Sequence, residues 1–492
     1  MKISCRKSVT LISVIAGALL LSSCGLFDEK KVVSPEIVGD NSNDDHYVSD
    51  SVNQKTISAG KLLDDINSGI QNRLPYGYNL IRFPQKFSSV FVKQTVREQQ
   101  SQAYSLAEAG AVNKAGPLKE TSIKRMVQNC NIESLPDSMN SAFAVVTKKT
   151  PLLLMPSNDV WHKDKKTKDR NLLHIDYLSI GDPVAVLSVS ADKRYYLVQT
   201  RYLRGWVPIV NLAFTRYLSW LKVVKPSDFA VVKSPVYTIT LGTKDKKTYD
   251  YSMGDVILLD TSKSTFEKPV GLLPVNAGGI LSYKNAELSP ESVTFGYLDL
   301  TRKNILAQAR KYKNLSRSEY SYLPELYSNS LIIARAYRSV GVYMPLDYST
   351  MKRASPKTID LVGMPYEQRI SSFLHAKPGD LLFFDNDVAL FYGTLPRYSK
   401  NIRDVIAYLY VDTVVNEIDY KKVEKKYDRI MVSDLRYQRP SGHTALSEVE
   451  FIGQFFTQDV KSSHSTGGGI TSTSKNQEEY DPLYIDELEV NK

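Results

Sequence analysis

Side chains that could do chemistry concentrate at the start of one predicted helix. Ser328, Asn329 and Ser330 stand near the beginning of the segment Leu326–Pro345 and carry side-chain oxygens that favour a first helical turn. A helix start presents free N–H groups and partial positive charge, so a cysteine placed there would have a depressed pKa and react at neutral pH. The central residue here is Asn329, and a carboxamide supplies no nucleophile. The pattern therefore predicts a capped helix start without a reactive thiol.

The helix that must hold these residues is predicted from apolar spacing. Leu326–Pro345 shows helical periodicity, and Gly341 marks the end of the helix. A second helix is predicted over Arg302–Tyr312, with Thr301 as its cap. We expect one apolar stripe of each helix to be buried: Leu331, Ile332, Ala336, Tyr337 and Val340 in the first, and Ile305, Leu306, Ala309 and Tyr312 in the second.

Strand signals follow these helices. The polar segment Asp347–His375 is predicted as loops with one short helix at Pro365–Phe373. Helices followed by a hairpin and a further strand predict an α+β domain over 297–456. The turn and strand segments that support this prediction are Lys377–Phe384, Asp385–Asp387, Val388–Tyr392 and Val405–Val411.

The middle of the chain has the pattern of small β-barrels. Short β-rich runs separated by turns fill Ser141–Thr215, and Phe229–Tyr297 repeats this pattern more loosely. We expect one barrel over 139–216 and a second, divergent barrel over 217–296. The predicted strands are Asp182–Leu187, Tyr195–Gln199, Arg204–Val207, Val231–Val232, Tyr251–Leu259 and Val270–Pro274.

The first residues are typical of a secretion signal. Positive residues precede the apolar run Val9–Leu21, which is too short for an ordinary membrane-spanning helix. Leu21–Cys24 resembles the lipobox of bacterial lipoproteins, and this resemblance implies cleavage before Cys24 and acylation of that cysteine. Gly25, in place of an aspartate, favours the outer membrane of a Gram-negative bacterium. We therefore expect a signal peptide over 1–23 and a periplasmic protein anchored through Cys24.

Segments with the composition of linkers lie before and after the predicted domains. We expect a flexible tether over 24–58, and a helical N-terminal domain over 59–138 with helices at Lys61–Ile70 and Lys93–Ala109. At the other end, 457–492 is rich in Ser, Gly and Thr and then acidic, which predicts a disordered tail with a docking segment at Pro482–Val490.

Composition narrows the function classes. At 492 residues the chain is long enough for two to four domains. The net charge of +10 would permit nucleic-acid binding, but a secreted protein does not meet nucleic acid, so none is expected. Only Cys130 remains in the mature chain, which rules out an internal disulfide, and no Cys/His cluster has metal-ligand spacing. We expect Cys130 to be a half-buried structural thiol.

The strongest motifs resemble a known family. Ser141–Val210, with Gly205-Trp206-Val207 at its end, resembles a bacterial SH3b barrel. Tyr297–Ile305, Ala336–Pro345 and Pro378–Gly393 resemble the NlpC/P60 cell-wall hydrolases. This resemblance implies a multidomain α+β protein with a helical N-terminal domain, two SH3b-like barrels and a papain-like domain. Members of the family cleave the γ-D-glutamyl–diamino-acid bond of cell-wall peptides, and no cofactor is implied.

The resemblance also implies that the catalytic residues have been replaced. Asn329 stands at the position of the cysteine nucleophile, Asp387 at the position of the general-base histidine, and Ala407 at the position of the orienting histidine. The number of cysteines and histidines in this domain agrees with that replacement, because 297–456 contains no cysteine and only two histidines, His375 and His443. Neither histidine lies in the expected strands, so a Cys–His mechanism is excluded in this domain.

Three serines remain as ligand-binding candidates. Ser330 and Ser349 match substrate-site serines of the family, and Ser328 replaces an aspartate that would face the substrate's amino group. Helix capping or turn formation is the alternative role for Ser330 and Ser349. Asp387 is interpreted most simply as a turn residue, so that its replacement by alanine should leave folding nearly untouched.

Three functions remain open at this point. The first is a catalytically inactive envelope lipoprotein that binds peptidoglycan peptides or a murein-associated partner. The second is an active murein endopeptidase with relocated residues, for which Ser328 or Ser330 with Asp387 would need a strongly raised carboxylate pKa. The third is a structural or regulatory envelope lipoprotein that binds only proteins.

Overall fold

The first helices of the described chain pack on the strands that follow them. This computed structural model describes 59–164, 171–242, 246–312, 315, 328–385, 387–394, 406–411, 430–435, 439 and 441–456, and all of these residues belong to one unit, 57–492. The helices are α1 (Ala59–Asn72), α2 (Ser89–Glu108) and α3 (Glu120–Asn129). Apolar residues of α2 and α3 share one hydrophobic cluster with strand residues that include Trp206. A helical domain with its own core is therefore not confirmed.

The Gly-Trp-Val strand is fastened to α2 by polar contacts. Trp206 Nε1 donates to Gln99 Oε1 at 3.1 Å, and Gln99 Nε2 donates to the Arg204 carbonyl at 3.1 Å. Arg204 Nη1 donates to Thr95 Oγ1 at 2.7 Å. These buried donors and acceptors are satisfied only when helix and strand lie together, so they fix the position of α2 on the sheet.

Helix α1 packs against residues that are far from it in the sequence. The Asn67 side chain donates to the Gly341 carbonyl at 2.9 Å and accepts from the Tyr343 backbone N–H at 2.8 Å. Ile70 is buried in the same cluster as Ile332 and Tyr337 of the C-terminal region. The first helix of the described chain is thus packed against the C-terminal region.

Most strands of the β-rich middle of the chain belong to one twelve-stranded sheet, and Val236–Leu241 and Lys247–Ser252 pair in a separate two-stranded sheet. The first half of the twelve-stranded sheet surrounds one hydrophobic cluster and its second half surrounds another. The halves join where Phe214 pairs in parallel with Ile280, and the Asn276 side chain donates to the Leu212 carbonyl at 2.8 Å. The division into two separate barrels is not confirmed, because strands from both predicted barrels belong to one sheet.

The elements of this region are more numerous than the sequence predicted. Gly254, with φ +78°, turns the chain between two strands where one strand, Tyr251–Leu259, was predicted. Helix α4 is Tyr217–Val224. The strands up to this point are β1 (Lys86–Ser88), β2 (Val112–Asn113), β3 (Gly116–Pro117), β4 (Ser138–Asn140), β5 (Ala142–Val146), β6 (Thr150–Leu153), β7 (His174–Leu178), β8 (Pro183–Val189), β9 (Tyr195–Gln199), β10 (Arg204–Pro208), β11 (Leu212–Thr215), β12 (Phe229–Val232), β13 (Val236–Leu241), β14 (Lys247–Ser252), β15 (Val256–Leu259), β16 (Val270–Ala277), β17 (Ile280–Glu287) and β18 (Val293–Phe295).

The C-terminal region is a six-stranded antiparallel sheet covered by helices. The sheet order is β19-β24-β20-β21-β22-β23, and its strands are β19 (Lys357–Asp360), β20 (Leu381–Phe383), β21 (Val388–Thr394), β22 (Ile406–Val411), β23 (Ile430–Asp434) and β24 (Phe451–Gln454). The helices are α5 (Arg302–Arg310), α6 (Asn329–Ser339), α7 (Tyr348–Ala354), α8 (Tyr366–Ser372) and α9 (Ala445–Glu448).

The two predicted helices and the hairpin are confirmed here. Thr301 accepts from the Asn304 N–H at the start of α5, and every residue of both predicted stripes is buried. Helix α7 and strands β19 and β24 were not predicted, because the first two lie in the segment interpreted as loops and β24 is only four residues long.

The predicted signal peptide, the tether, Cys24 and the tail over 457–492 lie outside the described residues. Among the helices of the part of the chain that the structure describes, none is long and apolar enough to cross a membrane.

Candidate functional site

Helix α6 is the element that positions the candidate site. It begins at Asn329, and it ends where Gly341 adopts φ +86° and donates its N–H to the Arg338 carbonyl at 3.0 Å. Nearly all of its residues are buried, including Arg335, which is only 1% exposed. Because the helix is covered on almost every side, the residues at its first turn are held in place by the surrounding elements.

Asn329 lies directly against Asp387. The Asn329 Nδ2 atom is 3.1 Å from Asp387 Oδ1 and 3.1 Å from Asp387 Oδ2. Asp387 is the residue before β21, and its Oδ1 also accepts from the Val388 N–H at 2.8 Å. The structure therefore brings together the two positions that the resemblance equates with nucleophile and general base. The pair is an amide and a carboxylate, held by hydrogen bonds.

Arg439 completes this arrangement, and sequence reasoning missed it. Arg439 Nη2 lies 3.6 Å from Asp387 Oδ2, and Arg439 Nε lies 2.7 Å from Glu448 Oε2. The guanidinium also lies over the Phe384 ring, 4.0 Å from its centroid. No local sequence pattern marks Arg439, because its partners come from the hairpin and from α9.

The electrostatics of Asp387 reflect two opposed effects. Burial of the carboxylate among protein atoms raises its pKa, although 32% of the side chain remains exposed. Arg439 and the hydrogen bonds from Val388 and Asn329 oppose this and lower the pKa. Burial is the larger effect, so the pKa of Asp387 lies above that of an ordinary aspartate.

The serine hydroxyl protons are already committed to other oxygens. Ser330 Oγ lies 2.5 Å from the Leu346 carbonyl oxygen, which can only accept, so Ser330 is the donor. Ser328 Oγ lies 2.8 Å from Ser330 Oγ, and must therefore donate to it. A hydroxyl has one proton, so in this geometry neither serine donates to Asp387. The Ser328 hydroxyl also makes no capping bond to the helix, contrary to the expectation from sequence.

Ser349 and Ala407 lie elsewhere in this domain. The Ser349 side chain is exposed and donates to Asp347 Oδ1 at 2.9 Å, at the start of α7. Ala407 pairs with Gly393 on β21 and with Asp434 on β23. A methyl side chain cannot orient an imidazole, so the third catalytic function has no group at this position.

A cleft of about 570 Å³ lies between the sheet and α6. Its walls include Asp176 and Arg201 from the sheet side, and Arg335, Arg338 and Tyr343 from α6 and the segment after it. Burial raises the pKa of Asp176 to about 7, opposed by a backbone hydrogen bond from Tyr177 and by Arg335. Sequence reasoning did not single out these charged residues. Of the arginines, Arg338 pairs with Asp182, which also lines the cleft.

The remaining predicted groups lie away from this site. Cys130 is completely buried, not half-buried as predicted, and burial raises the pKa of its thiol to about 12, which makes it unreactive at neutral pH. His375 lies in a short 3₁₀ turn and His443 is exposed before α9. In the described residues no group of three or more His, Cys, Asp or Glu side chains could hold a metal ion.

Comparison with known proteins gives two kinds of match. The family model of the SH3 domain (SH3b1 type) matches residues 173–208. The structure of an NlpC/P60 endopeptidase from Photobacterium damselae subsp. piscicida is similar, with a TM-score of 0.62 and 14% identity, over 83% of this chain and 96% of that one. An NlpC/P60 family protein from Bacillus cereus matches with a TM-score of 0.40 and 14% identity, over 64% of this chain and 99% of that one. A search of curated protein sequences finds no match. The chain therefore carries a match to an SH3b1-type SH3 domain over 173–208 and shares the fold of the NlpC/P60 endopeptidase from Photobacterium damselae.

Proposed function

We propose that this chain is a catalytically inactive envelope protein that binds cell-wall stem peptides in the cleft between its SH3b domain and its NlpC/P60-like region. The observation that carries the proposal is the contact between Asn329 and Asp387, with Arg439 paired to the carboxylate. This is where the resemblance places nucleophile and base; Asn329 has no nucleophilic atom, and Asp387 is a hydrogen-bonded carboxylate in place of the histidine. A fold of this kind occurs in an NlpC/P60 endopeptidase, which supports a related peptide as the ligand.

Loss of catalysis follows from three properties of the site. Asn329 has no nucleophilic atom, and its amide is held by Asp387. Asp387 accepts hydrogen bonds from Val388 and Asn329 and its charge is paired with Arg439, so it is held as an acceptor in place of the imidazole that the family's reaction needs. Ala407 cannot orient a base. A thiolate, an imidazole and an orienting group are all needed for the family's reaction, and each is replaced.

Retention of a binding role is supported by the cleft. The cleft contains charged side chains that are partly exposed, among them Arg201 and Asp182. Clefts lined by a few convergent polar groups are the common form of small-ligand sites. Peptides of the cell wall carry both carboxylates and amino groups, which these side chains can pair.

Location and domain boundaries complete the proposal and rest on the sequence. The positive and apolar residues before Cys24 support a signal peptide over 1–23 and a lipid anchor at Cys24. The proposed divisions are the tether 24–58, a helical part 59–138, SH3b-like barrels 139–216 and 217–296, the NlpC/P60-like region 297–456 and the tail 457–492. Cys24→Ser should abolish lipid labelling and signal cleavage.

The central experiment measures binding and cleavage together. Purified mature chain is titrated with a γ-D-glutamyl–diamino-acid stem tripeptide, and the products are followed by mass spectrometry. We expect saturable binding and no cleavage above background. The variant Asn329→Cys/Asp387→His/Ala407→His should recover weak cleavage, and adding Arg439→Gln should increase it, because a neighbouring cation disfavours the imidazolium that the reaction forms. Absence of peptide binding would contradict the proposal.

A second candidate, a serine-based hydrolase, is favoured by the raised pKa of Asp387 alone. The hydrogen bonds of the two serines oppose it, because Ser328 donates its proton to Ser330 and Ser330 donates its proton to the Leu346 carbonyl, so neither donates to Asp387. The same assay separates the two candidates: cleavage by the wild type that disappears in Ser330→Ala would establish the hydrolase and overturn the inactive site.

A further inference from the structure

Arg201 differs from the other arginines around the cleft. Arg335 Nη1 lies 2.7 Å from Asp255 Oδ1, and Arg338 Nη2 lies 2.5 Å from Asp182 Oδ1. In the described part of the chain, no carboxylate oxygen lies within 4.0 Å of the Arg201 guanidinium. Arg201 is nevertheless half-buried, in a position where an unpaired charge is costly.

The position of Arg201 is fixed by neighbours that leave its charge unneutralised. Its Nη2 donates to the Val224 carbonyl at 2.9 Å. Its guanidinium lies over the Tyr343 ring, 4.3 Å from the centroid, and the Arg338 guanidinium lies 5.2 Å from the same ring. Tyr343 is itself held, because its hydroxyl lies 2.8 Å from that of Tyr297. The guanidinium is therefore ordered before any ligand arrives, which lowers the entropy cost of binding.

Three arginines and three carboxyl groups lie in or beside the cleft, and Arg201 is the arginine that has no carboxylate among the described residues within 4.0 Å. Asp255 and Asp182 neutralise the two arginines of α6. Asp176 is the other carboxyl of the cleft, and the arginine that acts on its charge is Arg335. Arg201 also lines a second, adjoining space of about 500 Å³, where several walls are aliphatic. Its guanidinium is thus the cation available to a ligand from either side.

We propose that Arg201 binds a carboxylate group of the ligand that enters this cleft, with Tyr343 as the platform that holds the guanidinium. A planar guanidinium forms paired hydrogen bonds with a planar carboxylate, so Arg201 is suited to a carboxylate group of a ligand. The identity of the ligand as a cell-wall peptide rests on the proposed function. The carboxylate site itself does not.

The test uses two pairs of probes on the full mature chain. Glutarate and its neutral analogue glutaramide probe the carboxylate site alone. The stem tripeptide and the same peptide with its D-glutamyl α-carboxylate converted to an amide probe the site within the proposed function. The variant is Arg201→Gln, which keeps an amide donor for the Val224 carbonyl. The control is Arg194→Gln, an exposed arginine in the same SH3b domain. Thermal unfolding of both variants reports whether the fold is retained.

We expect the wild type to bind glutarate in preference to glutaramide, and Arg201→Gln to lose about tenfold in glutarate affinity, as for a lost charged hydrogen bond. In Arg201→Gln the preference for the carboxylate tripeptide over its amide should also disappear. Arg194→Gln should bind the probes with the same affinity as the wild type. Equal glutarate affinity in Arg201→Gln and wild type, or no preference of the wild type for glutarate, overturns the inference. If glutarate binding depends on Arg201 but the tripeptide does not bind, the inference stands and the proposed function fails. Should Arg201→Gln unfold, Arg201→Lys replaces it and should show a smaller loss of glutarate affinity, since the charge remains but the planar fork is gone.

Discussion

The two ends of helix α6 meet very different surroundings. At its start, Asn329 and Asp387 are hydrogen-bonded to each other, and Arg439 closes the group. Toward its end, Arg335 and Arg338 cross to the sheet and pair with Asp255 and Asp182. Reactive sites leave a nucleophile or a base incompletely satisfied, whereas structural sites pair every group. By this criterion the groups at the start of α6 are arranged as in a structural site, and the arginine without a carboxylate partner among the described residues is Arg201, across the cleft.

The largest effect should come from the buried pair at the end of the helix. Arg335 and Asp255 are each 1% exposed, and Arg335→Met leaves the Asp255 carboxylate without its closest cation. We expect a loss of about 3–5 kcal/mol in the free energy of unfolding, measured by urea denaturation. Lys124→Met breaks a surface pair whose side chains are 60% and 68% exposed, and it should leave stability unchanged. Equal effects of the two substitutions would contradict the stabilising role of the buried pair at the end of α6.

A smaller effect is expected at the start of the helix. Asp387→Ala removes the acceptor of Asn329, which is 5% exposed, and one partner of Arg439. We expect a cost of about 1–3 kcal/mol, typical of a buried donor left unsatisfied. This replaces the sequence-based expectation that the substitution leaves folding nearly untouched. Asp387→Asn keeps an acceptor for Asn329 and should cost less. A denaturation midpoint unchanged by Asp387→Ala would mean that this polar group does not stabilise the fold.

The smallest effect is a change in pH dependence at Asp176. Its pKa of about 7 in the folded chain lies above the ordinary value, so protonation favours the folded state. Its contribution to stability is therefore complete at low pH, and it is lost as pH rises toward 7. We expect Asp176→Asn to gain melting temperature relative to wild type at pH 8 more than at pH 5.

Asp260 provides the control, because hydrogen bonds from Ser262 and Asn285 lower its pKa to about 2. The contribution of Asp260 to stability is present above the ordinary aspartate pKa and is lost only in acid. The difference in melting temperature between Asp260→Asn and wild type should therefore be the same at pH 5 and pH 8. A difference between Asp176→Asn and wild type that is the same at both pH values would contradict the raised pKa.

Periodicity and turn chemistry were sufficient to predict the local elements near the site. Helices α5 and α6 and the β20–β21 hairpin follow directly from apolar spacing and from the turn before Val388. The resemblance placed Asn329 and Asp387 at related positions, and the structure puts them in contact. Arg335 shows what sequence could not give: an arginine on a helix suggests a solvated face. Its partner Asp255 is 80 residues away, and only the tertiary fold brings the two together.

The contact of Asn67 with residues far away in the sequence has a consequence for the order of folding. Its partners lie 274 and 276 residues later, at Gly341 and Tyr343. Contacts at such sequence separation require the intervening chain to be closed into a loop first, which slows folding. Helix α1 is made early in synthesis but cannot dock until α6 has emerged and folded. Until that moment the apolar residues Leu63, Ile66 and Ile70 lack their cover, and the segment is open to proteases and to chaperones.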